Sequence, residues 1–372
     1  MESERKKILF IQESLTGGGA EKVFVDLMRR LDRDKYCVTV LLLYGGGVHV
    51  ASLPEDLELI TLYERRSLLH KVRNHFIFTR DRMLRAAALK ALKGRRFDTV
   101  ISFLEGPAMK VHSMVRELGD RHLTWVHTDM RANRWTNYMF RDQEEERSMY
   151  AAMDAILFVS RGALNSFAEE YDVDRRKLAV IPNIVDRDAI LENAAKFDAE
   201  KSRFTIVNVG RLASEKRQDR LIDVARILRD RGLDFEVWIV GAGPLEERLR
   251  RYVVSLGLED RVRLMGFCSN PYPYMKAADL FLLTSDAEGF SLVVCEALSL
   301  GLPVVSTCVT GVRERLSGGA GVLASFDPED IADKVYALAT DPEALAGYAA
   351  CALEKGREFN PDEVLNKIYS LI

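Results

Sequence analysis

Cysteine is scarce and scattered in this 372-residue chain. Its five thiols, Cys37, Cys268, Cys295, Cys308 and Cys351, are odd in number and never fall in a Cys-x-x-Cys pair. That spacing gives neither a zinc site nor a disulfide framework, and reduced thiols in a cytosol are the plain reading. Long hydrophobic runs are also missing. With no stretch of about 18 apolar residues, no membrane-spanning helix is expected. Residues 1–7 are polar and lead straight into a strand pattern, unlike a signal peptide. An excess of one charge is absent too. A formal net charge of -3 gives no support to a general nucleic-acid binder. No repeat at a solenoid period is found.

What is present is apolar content of 48% and enough length for two cores. Strand-like apolar runs alternate with helical ones, the signature of parallel sheets with crossover helices. Strands are expected at 7–12, 38–44, 99–103, 123–126, 155–159 and 178–181. The alternation restarts at 204–209 and continues at 236–240, 262–265, 280–284, 303–306 and 321–323. Two doubly wound, Rossmann-like α/β domains follow from this, residues 1–186 and 204–355, with a charged linker at 187–203. Such sheets bind ligands beyond the carboxyl ends of their strands.

The segment from Glu288 to Glu296 is the most informative. Glu296 is a lone carboxylate in an apolar run, so a protein donor or a ligand must meet it. Gly289, Phe290 and Ser291 read as a loop entering a helix, where free N–H groups favour an anion such as phosphate. A second loop, from Gly210 through Arg211 to Lys216, follows a strand and precedes a helix. Its guanidinium and ammonium suit phosphate oxygens and a leaving diphosphate. Its plain alternative is surface ion pairing, for instance of Lys216 with Glu215 or Asp219.

Weaker signals lie elsewhere. Gly17, Gly18 and Gly19 form a glycine loop between the first strand and helix. It is not a P-loop, because no Gly-Lys-Ser/Thr follows. Gly45, Gly46 and Gly47 read as a simple turn. His127 ends a strand and would sit at the ligand edge, whereas His49, His70, His75, His112 and His122 read as structural or exposed. Gly243 and Phe267 lie at strand ends suited to contacts with a nucleotide base, though simple turn chemistry explains them equally well. Between Arg65 and Arg96 stand eleven Lys/Arg against one Asp. Leu69, Val72 and Phe76 there follow helical spacing. A basic amphipathic helix of this kind can rest on an anionic membrane, or can pack on the sheet with its charges in water.

Taken together, Gly18 to Glu21, Asn183 after Pro182, Gly210 to Leu212 with Lys216, and Glu288 to Glu296 resemble the retaining nucleotide-sugar glycosyltransferases of family 4. The likeness runs from about residue 7 to the C-terminal helix. It implies the GT-B fold, with two Rossmann-like domains facing across a cleft. The first domain would take the acceptor, the second the nucleotide sugar, and residues 356–372 would return to the first. Arg211 and Lys216 would hold the donor diphosphate, with backbone N–H groups of Phe290 and Ser291, and Leu292 would also border the donor. Glu288 would approach the sugar hydroxyls, Glu296 the ribose, and His127 the donor sugar. Ile184 after Asn183 and Cys308 to Gly311 after the strand at 303–306 depart from the family pattern.

The expected reaction is transfer, with retention, from a nucleoside diphosphate sugar, UDP-linked, to a hydroxyl of a lipid-linked or cell-surface glycan precursor. No Asp-x-Asp pair stands on a ligand-edge loop, so no metal or other cofactor is expected. The expected location is the cytoplasm, with peripheral contact at the inner membrane face. A non-hydrolysing nucleotide-sugar epimerase and a non-catalytic sugar-nucleotide-binding subunit are the alternatives.

Overall fold

A computed structural model describes residues 5–64 and 77–372. The chain divides into two compact units. One comprises Met1–Ile184 with Asp362–Ile372, the other Val185–Pro361. The stretch expected as a linker begins with a helix, Arg187–Ala194, that belongs to the second unit. Asp186 caps it by accepting from the Ala189 N–H at 3.0 Å.

The first unit holds a parallel sheet of β1 (Lys6–Gln12), β2 (Tyr36–Tyr44), β3 (Glu58–Tyr63), β4 (Phe97–Ser102), β5 (Gly119–Val126), β6 (Ala155–Phe158) and β7 (Leu178–Val180). Their order is β3-β2-β1-β4-β5-β6-β7. The second holds β8 (Phe204–Val209), β9 (Phe235–Val240), β10 (Val262–Gly266), β11 (Leu280–Leu283), β12 (Val304–Thr307) and β13 (Val322–Ala324), in the order β10-β9-β8-β11-β12-β13. This is the expected class, a doubly wound sheet in each unit. Strands covered on both faces need mostly apolar sequence, and β9, Phe-Glu-Val-Trp-Ile-Val, is buried throughout, its one carboxylate, Glu236, accepting from the Thr205 hydroxyl at 3.3 Å. Strand β3 escaped the sequence reading. It is an edge strand, and Glu58 and Leu59 stay exposed, so its pattern is broken.

The second unit's core joins Ile206, Val237, Ile239 and Leu282 from the sheet to Leu221, Ile222 and Ile331 from its helices. Each fully buried side chain of this size is worth roughly 1.5–3 kcal/mol. In the first unit the C-terminal helix Pro361–Tyr369 closes one side. Tyr369 stacks on Tyr36 at 5.6 Å, and the Lys6 ammonium donates to the Ile372 carbonyl at 3.1 Å.

The topology sets where ligands can meet the sheet. Chain order reverses beside β1 in the first unit and beside β8 in the second, and ligands of such sheets bind past the strand ends at that reversal. The loops that matter are therefore those after β1, β4 and β5, and those after β8 and β11.

Candidate active site

In the second unit β8 and β11 are direct neighbours, pairing Ile206 with Leu280 and Val207 with Phe281. That adjacency brings together two loops far apart in sequence. The Lys216 ammonium lies 2.7 Å from Glu288 Oε1, and the Ser285 hydroxyl donates to the same oxygen at 2.7 Å. The Glu288 side chain is 10% exposed and that of Lys216 25%. The partner expected for Lys216 in the bland reading, Glu215 or Asp219, is thus not the one it takes.

Loop 210–217 is fixed from three sides. Leu212 is fully buried and donates to the Ala242 carbonyl at 3.0 Å. Gly241 and Gly243 make that approach possible. A Cβ on Gly241 would stand 1.9 Å from the Gly210 carbonyl oxygen, and one on Gly243 2.3 Å from that of Leu212. Gly243 therefore has a packing role of its own, independent of any base contact. Gly210, by contrast, has open space where a Cβ would point. Arg217 is in the left-handed region at φ 50, a strained place for a side chain. Its guanidinium binds Asp219 at 2.9 Å and Asp286 at 3.1 Å, and these acceptors, Asp219 foremost, raise its pKa above the ordinary value. The Thr284 hydroxyl donates to the Arg217 carbonyl at 3.0 Å and the Asp286 N–H to that of Glu215 at 2.9 Å. Arg211 lies outward, 64% exposed, with its guanidinium 2.8 Å from Glu215. Burial pushes the Glu215 carboxyl up, but the Arg211 bond and charge, a backbone hydrogen bond and the Lys216 charge together outweigh it and hold the group below its usual range.

The second motif enters the helix Leu292–Ser299 through Ser291, also left-handed at φ 60. Gly311 presses on the loop behind it, where a Cβ would be 2.4 Å from the Gly289 carbonyl carbon. The Ser291 hydroxyl is buried and meets no partner, and the N–H groups of Ser291, Leu292 and Val293 have no acceptor among the described residues. Phe290 is buried beneath the Arg315 guanidinium, 4.3 Å from its ring centre, so only its backbone can serve a ligand. The polar partner expected for Glu296 is the Tyr272 hydroxyl, 2.9 Å from Oε1, and Glu296 is 8% exposed. Phe267, after the turn at Gly266, is 72% exposed.

In the first unit Gly18 caps the helix Gly19–Arg30 without a side chain, and a Cβ there would lie 2.2 Å from Glu21 Oε2. The turn 45–47 packs directly on this loop, since a Cβ on Gly47 would fall 2.2 Å from the Leu15 carbonyl oxygen. His127 follows β5 and is 9% exposed. Its ring lies 4.7 Å from that of Phe103 and 5.9 Å from that of Trp125. Burial pushes the imidazole down to about 3, while a bond to the Phe103 backbone opposes that shift. The neutral ring keeps Nε2 buried with no partner. His112 and His122 form a separate interior pair, their ring nitrogens 3.1 Å apart, with Ser102 on the far side of His112. They are structural, as expected.

The basic stretch divides. Residues 65–76, with Leu69, Val72 and Phe76, lie outside the described residues. In the part described, the Arg80 guanidinium donates to the Met139 carbonyl at 2.7 Å, Arg85 pairs with Glu117 at 2.9 Å and Arg96 with Asp120 at 3.1 Å, while Arg95 pairs with Glu58. These charges are satisfied within the unit. No helix among the described residues is long and apolar enough to cross a membrane.

Sequence reasoning missed Ser285, Asp286, Tyr272 and Glu105. None stands in a recognisable pattern, and each earns its place only through neighbours brought in by the fold.

Comparison with known proteins bears on this arrangement. A family model described as glycosyl transferases group 1 matches residues 203–341, and one described as glycosyltransferase family 4 matches residues 17–189. The N-acetylgalactosamine-N,N'-diacetylbacillosaminyl-diphospho-undecaprenol 4-alpha-N-acetylgalactosaminyltransferase of Campylobacter jejuni is 33% identical over 184 residues, 49% of this chain and 49% of that protein. The match thus spans about half the length of that relative. An uncharacterized glycosyltransferase of Haemophilus influenzae is 26% identical over 83% of each chain. Among solved structures, Anabaena HepE in complex with UDP-glucose superposes with a TM-score of 0.74 at 20% identity, covering 99% of this chain and 100% of that one. Sucrose-phosphate synthase from Thermosynechococcus elongatus gives 0.78 at 16%, covering 99% and 98%. At such identities the structural likeness is one of fold. The two family models fall one on each unit and between them span most of the sequence, so the chain belongs to the family 4 glycosyltransferases of the GT-B class.

Proposed function

We propose that this chain transfers a sugar from a nucleoside diphosphate sugar, UDP-linked, to a hydroxyl of a lipid-linked or cell-surface glycan precursor, with retention at the anomeric carbon. The observation that carries this reading is the 2.7 Å pair of Lys216 and Glu288 beside the open N–H groups at Ser291 to Val293. A cation, a hydroxyl-binding carboxylate and a helix start then share one strand-end region of the second unit. In this reading Arg211 leaves Glu215 to meet the diphosphate, and Lys216 shares its charge between Glu288 and a phosphate oxygen. The N–H groups of Ser291 and Leu292 complete the stabilisation of the leaving group. Glu288 accepts from sugar hydroxyls, Glu296 from the ribose, and Gly210, Gly243 and Phe267 border the base. In the first unit, His127 offers an uncharged acceptor nitrogen to a hydroxyl, and Gly18 and Gly19 offer the backbone of their loop. Cations already neutralise the diphosphate, so the reading requires no metal.

Support for the donor comes from the fold neighbour HepE, solved with UDP-glucose. Support for a lipid-linked acceptor comes from the Campylobacter relative, whose name specifies a diphospho-undecaprenol acceptor. The reading extends to a cytoplasmic enzyme in peripheral contact with the membrane, resting on the charges of residues 65–96. Sedimentation with anionic liposomes tests that part, and pelleting unaffected by Lys/Arg→Gln changes at 65–76, 82, 90 and 93 removes it.

The central test is a thermal-shift panel of nucleotide sugars followed by transfer assays on Arg211→Ala. A bound donor raises the unfolding temperature. The variant is expected to stay folded and to lose about a hundredfold in turnover. Normal turnover in folded Arg211→Ala rejects the assignment. An isomerised nucleotide sugar formed without acceptor would mark an epimerase instead.

A further inference from the structure

We propose that Glu105 is a positioning residue that holds His127 and Trp135 as one substrate-facing surface of the first unit, an inference that rests on the transferase reading. Glu105 follows β4 and is fully buried. Its carboxylate takes donors from three separate points of the next strand-end loop. The His127 backbone N–H donates to Oε2 at 2.9 Å, and the Thr128 hydroxyl and the Trp135 indole N–H donate to Oε1 at 2.8 and 3.0 Å. Among the described residues no Lys, Arg or His side chain pairs with it.

A buried acid held only by neutral donors is costly, because hydrogen bonds offset desolvation without a counter-charge. A fold needing only filler would place an apolar side chain there. What the carboxylate provides is acceptor capacity in several directions at once. A glutamine would turn an N–H group toward one of the three donors and lose that bond. The loop is built around this acceptor. Gly106, at φ 75, has room for no Cβ, which would fall 2.9 Å from Thr136 Cγ2 and 3.2 Å from the Trp135 ring. That glycine lets Trp135 and Thr136 close over the Glu105 turn. The Thr136 hydroxyl then donates to Glu146 at 3.0 Å, and Asp129 Oδ1 accepts from the N–H groups of Arg131 and Ala132 at 3.1 and 3.2 Å. Carboxylates thus fix the loop at both ends and in its middle. Glu105 ties the His127 end to the Trp135 end. The His127 ring is left with Nε2 buried and unpartnered, where a hydroxyl donor would complete it.

The test is a double-mutant cycle on the full chain, Glu105→Gln with His127→Ala. Glu105→Gln is expected to keep its unfolding temperature within a few degrees and to lower kcat about 10-fold, with the donor KM changed less than about twofold. In the His127→Ala background the same change is expected to cost clearly less than in the wild type, because the part of the effect that acts through the ring is gone and only that through Trp135 is left. Full additivity, or an unchanged kcat, overturns the proposal. Nitrogen-15 spectra of the imidazoles give a readout independent of activity. The His127 signals should move in Glu105→Gln while those of His112 and His122 stay, and an unmoved His127 overturns the proposal. If the ring moves but Arg211→Ala retains full transfer, the transferase reading fails and the positioning role stands. Should Glu105→Gln not fold, Thr128→Val and Trp135→Phe each remove one donor and should shift the ring in the same sense by less.

Discussion

The two units hold their candidate residues in opposite ways. In the second, charged groups hold one another, Lys216 with Glu288 and Arg211 with Glu215, all in strand-end loops and partly open to water. In the first, His127 is buried and neutral, and its surroundings are aromatic rings, main chain and the neutral donors gathered by Glu105. On the proposed function, the contrast matches what each would meet. A diphosphate needs cations that stay charged and can leave a breakable partner, which demands solvent and a modest ion pair. A sugar hydroxyl needs only a fixed acceptor, and burial keeps an imidazole in that form.

The sharpest way to break this comparison is Lys216→Ala. It removes the cation and leaves Glu288 with the Ser285 hydroxyl but no counter-charge, so turnover should fall by about a hundredfold or more in steady-state assays. An effect no larger than that of His127→Ala would erase the distinction between the units. His127→Ala is expected to cost about 10-fold. Its acid–base signature should be missing, because the ring already titrates near 3. The pH profiles of wild type and variant should therefore run parallel between about pH 5 and 8, and divergence there would show that the ring gains a proton in use. Tyr272→Phe takes the hydroxyl from Glu296 and should cost about 1–2 kcal/mol of stability, read as a lower unfolding temperature. Bound nucleotide sugar should restore part of the loss.

The smallest effect concerns His112, pushed to about 3 first by burial and then by the charges of His122 and Arg116. The unfolded chain takes up this proton near 6.5. Between about 3 and 6.5 the unfolded state holds more protons, so stability is complete above that window and declines as pH falls through it. By pH 5.5 the loss attributable to His112 is about 1 kcal/mol, and His112→Asn should flatten that part of a pH-dependent melting curve. His127 adds a loss of the same sign, so the double variant should be flatter still.

Much of the fold was legible because parallel strands buried on both faces must be written as largely apolar runs, as in Phe-Glu-Val-Trp-Ile-Val of β9, where Glu236 is the one polar residue. Edge strand β3 was not, since Glu58 and Leu59 face water and break the pattern. The site shows the same division. Glu288, Glu296 and Arg211 could be singled out as candidates because each is a charge among apolar or small neighbours, and Lys216 because its loop joins a strand to a helix. Glu105, Ser285, Asp286 and Tyr272 were not, because their meaning lies in a contact made by residues distant in the chain. Gly243 shows the limit from the other side. Its sequence context suggested ligand contact, while the fold gives it a van der Waals reason, the close passage of the Leu212 carbonyl.

The sequence by itself determined the two alternating α/β halves, the strand-end position of the motif loops and the chemical kind of the groups on them. Those are local properties, set by periodicity, by the backbone needs of a helix start and by the charge of single side chains. Only the tertiary structure decided partners. Strand order placed β8 against β11 and so gave Lys216 to Glu288 rather than to Glu215, and it set β4 beside β5 so that Glu105 lies under His127. A hydrogen bond acts over about 3 Å, whatever the number of residues between its ends, and only the folded chain sets that distance.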